Sequence, residues 1–167
     1  MSMGGEELRQ AWRILKDATP LRTDCGLYCG AACCAPDEDG QGGVFLFPGE
    51  LKQMGGAEWG RIVKEGSETM LLCRERCDRA RRPLNCRFFP LLPYRNRDGE
   101  WRVRMDARAR AVCPLSRGGL RGLDPDFLRA ATEAARLLAR DEACSAFMER
   151  WSARERAFRR GIEEMLK

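Results

Sequence analysis

Eight of the chain's nine cysteines fall into two sets of four, and no other feature restricts what this sequence can fold into as strongly. The first set, Cys25, Cys29, Cys33 and Cys34, is packed into ten residues; the second is Cys73, Cys77, Cys86 and Cys113. Only Cys144 lies apart, in a stretch with helical periodicity. Thiolates are soft ligands that select zinc, iron–sulfur clusters or copper(I) over magnesium or calcium. The chain contains no histidine, so mixed Cys/His zinc sites and histidine-based catalysis are excluded. Residues Met1 to Gln10 have neither a basic start nor an apolar stretch, so no secretory signal is expected and the reading is cytoplasmic. In a reducing compartment clustered cysteines bind metal or do redox chemistry, and disulfide frameworks are rare. The expectation is a scaffold folded around metal. Cys25, Cys29, Cys33, Cys34, Cys73, Cys77, Cys86 and Cys113 are its ligands, and the metal ion is its first partner. The bound group is an iron–sulfur cluster, in the [4Fe-4S] form, or zinc.

A chain of 167 residues fits a single domain, 1–167, and is long enough to bury a core. Charged residues at 33% and hydrophobic residues at 44% are ordinary for a globular protein. The net charge of +5 comes almost wholly from arginine, but 25 acidic residues are interspersed and few aromatics accompany the basic runs. A nucleic-acid surface is therefore disfavoured. No apolar run approaches the length of a membrane span, so no membrane partner is expected.

The fold class predicted along the chain is α+β: a small, irregular, cysteine-rich centre with short strands, an N-terminal helix and a C-terminal helical pair. Leu8, Ala11, Trp12 and Leu15 recur at helical steps and predict a helix over 6–18, closed by Thr19-Pro20. The cysteine region covers about 20–115. Within it, 35–43 is a polar, glycine-rich link, Val44 to Phe47 an extended segment, and the turn at Pro48 leads into a short helix near Glu50. Residues 59–64 and 69–73 read as strands. Trp101 to Met105 alternates apolar and charged residues, as a half-buried strand does, and Asn96 to Gly99 supplies the turn before it. The helical pair spans 124–167. Asp124 is an N-cap with Pro125 at the first helical position, and Asp141 caps the second helix.

Cys25, Cys29 and Cys33 are four residues apart and would stack on one face of a helix. Gly26 and Gly30 argue instead for a loop that brings backbone N–H groups close to a cluster. Cys33 and Cys34 are adjacent, and neighbouring side chains diverge. One thiol to each of two metals, or both to a polynuclear cluster, is easier than both on one zinc. A thiolate-bound metal carries negative charge, and Arg82 and Arg87, which bracket Cys86, are the guanidinium groups placed to offset it and to hydrogen-bond sulfur. Cys144, between Ala143 and Ala146, reads as packing. Glu50 has no identifiable partner for acid–base chemistry.

These motifs are familiar. The adjacent-cysteine cluster, Cys77, the block Arg82-Pro83-Leu84-Asn85-Cys86-Arg87-Phe88-Phe89-Pro90, and Cys113 together resemble the YkgJ/FliB-type cysteine-cluster family, described as a zinc- or iron-chelating domain with a CxxCxxCC start. The likeness covers about residues 20–115, and the arginine–proline–cysteine block matches completely. The first cysteine group departs from it, with three-residue rather than two-residue gaps. The family includes a longer flagellin lysine methylase, but no glycine-rich methyl-donor motif is present here, and that activity is not carried over.

Two functions follow from the thiols. One is a small redox or electron-transfer protein built on an iron–sulfur centre, with a redox protein as partner. The other is a zinc-stapled structural or protein-interaction module, whose closed four-cysteine sites leave no open coordination position. An arginine-rich nucleic-acid binder with zinc support is a third and weaker reading.

Overall fold

The computed structural model describes residues 4–34 and 42–167. Most of the polar link at 35–43 lies outside the described residues. The helices, in chain order, are α1 (Gly4–Ile14), α2 (Gly26–Cys29), α3 (Glu50–Gln53), α4 (Leu84–Phe88), α5 (Pro125–Leu138) and α6 (Glu142–Met165). The strands are β1 (Gly43–Leu46), β2 (Gly60–Glu65), β3 (Glu68–Cys73), β4 (Leu91–Arg95) and β5 (Trp101–Met105). The fold is α+β, with an N-terminal helix, a C-terminal pair and two small sheets.

Both sheets are antiparallel. One has the order β1-β3-β2 and the other pairs β4 with β5. In the first, Gly43 faces Leu72 and Gly60 faces Cys73, so Cys73 closes the ladder at the sheet's end. Gly60 is required there: a Cβ would lie 2.5 Å from the Leu72 carbonyl oxygen. In the second sheet the Asn96 side chain accepts hydrogen bonds from the Asp98 and Glu100 backbone, the Asx turn that its sequence foretells.

The core forms where α1, α5 and α6 cover β4, β5 and α4. Leu8, Ala11 and Leu15 of the first helical stripe meet Phe127, Ala131, Ala135 and Leu138 of α5. At its centre Phe47 lies 4.6 Å from the Phe147 ring, with Phe88 and Trp151 completing the aromatic cluster. Cys144 is fully buried in this core. The Asp141 side chain accepts from the Cys144 N–H at 2.8 Å, the cap expected at that position.

Two buried carboxylates tie α6 to both sheets. Glu155 accepts from Arg104 of β5, from the Ala107 N–H and from Arg159. Burial raises the Glu155 pKa, but Arg159, Arg104 and that N–H outweigh it and hold it below the usual carboxylate range. Glu68 of β3 is gripped by Arg150 and Arg154. Beyond Glu155 the apolar stripe of α6 runs on without a core beneath it, and Phe158, Met165 and Leu166 are exposed. Among the described residues no helix is long and apolar enough to cross a membrane.

Some elements differ from the sequence expectation. The first helix stops at Ile14 rather than near Ala18, because the chain leaves the helical path and the carbonyls of Leu15 and Lys16 turn to Arg87. The block around Cys86 is a helix, α4, capped from a distance by Glu50.

Candidate metal centre

Each cysteine segment is positioned by a local device. Cys25 precedes α2, a single turn held by the Asp24 side chain on the Gly26 N–H. Gly30 and then Ala31 adopt left-handed backbone, which ends the turn and swings Cys33 and Cys34 around in a 3-10 turn. The resulting shape is neither the loop nor the continuous helix that the spacing allowed. It is one helical turn followed by a reversal. Cys113 follows a short 3-10 helix, donating its N–H to the Ala109 carbonyl at 2.7 Å, and its own carbonyl accepts from Ser116 Oγ.

Cys86 stands on α4, whose placement is set by Glu50. That carboxylate is fully buried. It accepts from the Leu84 N–H at 2.6 Å, the Phe47 N–H at 2.8 Å and Trp12 Nε1 at 3.2 Å. Burial pushes Glu50 up to about 7 against the pull of those donors and of Arg87. Sequence reasoning gave Glu50 no partner, because the three donors come from segments far apart in the chain. Glu50→Gln keeps one acceptor oxygen but turns an NH₂ toward the Phe47 N–H. It should cost about 2 kcal/mol of stability, read from the urea midpoint. An unchanged midpoint would remove Glu50 from this role.

Arg87 and Arg82, alike in sequence, do different things. Arg87 donates Nε to the Arg82 carbonyl, Nη1 to the Leu15 and Lys16 carbonyls, and Nη2 to the Arg79 and Ala80 carbonyls. All five of its N–H groups are thereby used on backbone, and its plane lies 4.8 Å from the Trp12 ring centre. It clamps the end of α1 to the 79–82 turn and has no donor left for a sulfur. Arg82 instead feels the charges of Cys34, Cys77 and Cys86 and hydrogen-bonds Cys77; these outweigh its own burial and raise its pKa. Both arginines line the thiol cavity, but only Arg82 has guanidinium N–H groups not committed to backbone carbonyls.

Five thiols, those of Cys25, Cys29, Cys33, Cys86 and Cys113, line one cavity of about 50 Å³, together with Arg79 and Arg82. That is room for roughly four waters. Cys86 is half-buried and lines this cavity. Cys34, Cys73 and Cys77 lie outside it. Cys73 and Cys77 pack against the small apolar cluster of Leu46, Met54, Trp59 and Leu71.

The electrostatics link the two groups. Burial raises the Cys86 thiol well above its ordinary value, and the charges of Cys34, Cys73 and Cys77 add to this. Burial also raises Cys25, with Cys29 next, and Cys73, with Cys77 next. Cys113 is raised by burial and by Cys29. Cys34 goes the other way, to about 6, because Cys33 donates a hydrogen bond to its thiolate and Arg82 and Arg76 stand nearby. Cys33 is raised correspondingly by that bond.

The donor set fits a thiophilic metal: five soft donors line one partly open space with guanidinium groups beside them. Among the described residues, no three side chains of the histidine, cysteine, aspartate or glutamate types already stand in a metal-ligand arrangement.

Comparison with family models, curated proteins and solved structures finds no match to this chain. The likeness to the YkgJ/FliB-type family rests on the cysteine and arginine–proline motifs alone.

Cys144 sits apart from all of this, in the first turn of α6 and within the core. Cys144→Ser should leave metal content unchanged, as measured by elemental analysis. A loss of metal in that variant would overturn the ligand assignment.

Proposed function

We propose that this chain is a metal-binding protein that holds an iron–sulfur cluster or zinc through its eight clustered cysteine thiolates, and that the centre serves small-scale redox or electron-transfer chemistry. The observation that carries the reading is the shared cavity: thiols that enter the chain as early as residue 25 and as late as residue 113 line one space. Scattered structural cysteines have no reason to meet in this way. Arg82 and Arg79 at the same walls offset the negative charge that ligation concentrates there. When bound, an iron–sulfur group supplies a one-electron couple. The chain's own part is to hold the thiolates and to keep the surrounding charge balanced.

A second reading, zinc as a structural staple for an interaction module, is favoured by the far end of α6. There Phe158, Met165 and Leu166 present an exposed apolar surface unrelated to the thiols. Purification without oxygen separates the two. A brown protein with broad visible absorbance and bound iron supports the redox reading. A colourless one with stoichiometric zinc supports the staple, and a protein with neither metal defeats both.

A further inference from the structure

Helix α6 is longer than the body it packs on. Its buried residues are Cys144, Phe147, Met148, Trp151, Ser152 and Glu155. From Glu155 to Met165 the helix runs on for about 15 Å. The core-facing stripe continues along this stretch as Phe158, Ile162, Met165 and Leu166, at helical steps from Trp151 and Glu155. Among the described residues, none of those four belongs to either core cluster or packs against one.

The borders of the stripe are ordered. Along one edge stand Arg159 and, one turn later, Glu163. Arginine before glutamate is the less favourable order for a pair within one helix. Arg159 is moreover drawn back to Glu155 at 2.6 Å, and Glu163 is exposed. Along the other edge stand Ala157 and Gly161, which keep that side of the helix low. A glycine in mid-helix weakens the helix. A Cβ on Gly161 would meet no other part of the chain within 4 Å, so intrachain packing does not require a glycine there. A close approach from outside would.

These borders select the occupant. A second copy of α6, laid antiparallel about a two-fold axis near Gly161 and Ile162, brings Phe158 level with Met165 of the second copy. Ile162 of each copy then packs over Gly161 of the other. Arg159 stands beside Glu163 of the second copy, and the two-fold axis makes that pair twice. A parallel partner would instead set Arg159 against Arg159 and Glu163 against Glu163. In the antiparallel register Glu155 falls just past Leu166 of the second copy, so the overlap uses only the stretches that lie beyond each core.

We propose that this chain dimerises through the stretch of α6 beyond Glu155, two copies crossing antiparallel at Gly161. A second copy is thus the partner of the apolar surface at this end of the helix. The dimer stands apart from the metal, because no residue of α6 lines the thiol cavity. The contact is short and falls at the small end of specific interfaces, so the dimer dissociates on dilution.

Sedimentation velocity of the full chain, purified without oxygen, over a wide range of concentration is the test. A monomer–dimer equilibrium is expected, and Phe158→Glu and Ile162→Glu should each leave only monomer. Near-UV circular dichroism should be unchanged in both, because neither side chain packs on the core. Glu163→Arg, at an exposed position, should weaken the dimer by about tenfold and by less at high salt. A benzophenone group at position 158, in mixed normal and heavy-isotope chains, should attach across copies near Met165. Attachment across copies near position 158 means a parallel pair and overturns the register. A chain that stays monomeric at every concentration, or a dimer that survives Ile162→Glu, overturns the proposal. Metal analysis of the same samples tells that failure apart from a failure of the metal reading.

Discussion

Cys86→Ser lowers bound metal and lowers the melting temperature by ~10 °C. Serine is nearly the same size but its oxygen is a hard, poorly ionised donor, so it does not replace a thiolate on a soft metal. Ligation free energy is also folding free energy, of the order of 10 kcal/mol for a complete structural zinc site. Losing one thiolate ligand, at about 3–5 kcal/mol, corresponds to that shift at roughly 2–4 °C per kcal/mol for a chain of this size. Metal analysis and a thermal melt of the same preparation check both parts. Retained metal with unchanged melting would take Cys86 out of the ligand set.

Arg87→Ala destabilises the fold by about 3–5 kcal/mol. Its side chain is 6% exposed, and removing it strands carbonyls at Leu15, Lys16, Arg79, Ala80 and Arg82. It also takes away the cation nearest the buried Glu50 carboxylate and the stack on Trp12. Arg87→Lys should recover little of this, because an ammonium group has three donors on a flexible stem and lacks the planar fork. Urea unfolding of both variants at equal metal loading measures the effect. If Arg87→Lys is as stable as the parent, the five-carbonyl clamp is not what holds α1 to the 79–82 turn.

Much of the fold could be read from the residues, for reasons that are local. Asp124 and Asp141 cap the C-terminal helices as their spacing demands. Trp101 to Met105 forms a strand with Trp101 buried and Arg102 exposed, as its alternation implies. What stayed hidden depends on distance along the chain. β4 contains Pro93 and follows Pro90, residues that speak against a strand, yet its pairing with β5 and its cover from α6 carry it. Helix α4 is five residues long, too short for periodicity to reveal, and its N–H cap comes from Glu50, more than thirty positions earlier.

The candidate site divides in the same way. The thiols announced themselves by spacing, and the gathering of five of them around one cavity needs no more than three segments folding back on a common core. The roles of the two arginines did not. Arg82 and Arg87 flank the same cysteine with the same chemistry, and only the position of the α1 carbonyls separates a backbone clamp from a thiolate neighbour. Helix α6 outruns the core and leaves Met165 80% exposed.

Thiol protection tests the shared centre most directly. The anaerobically purified protein is treated with iodoacetamide before and after its metal is stripped by a chelator, and labelled cysteines are counted by mass spectrometry. Cys25, Cys29, Cys33, Cys34, Cys73, Cys77, Cys86 and Cys113 should be protected with metal bound and react once it is removed, whereas Cys144 should be slow in both states. Equal labelling of those eight before and after stripping would mean that the thiols do not hold a metal.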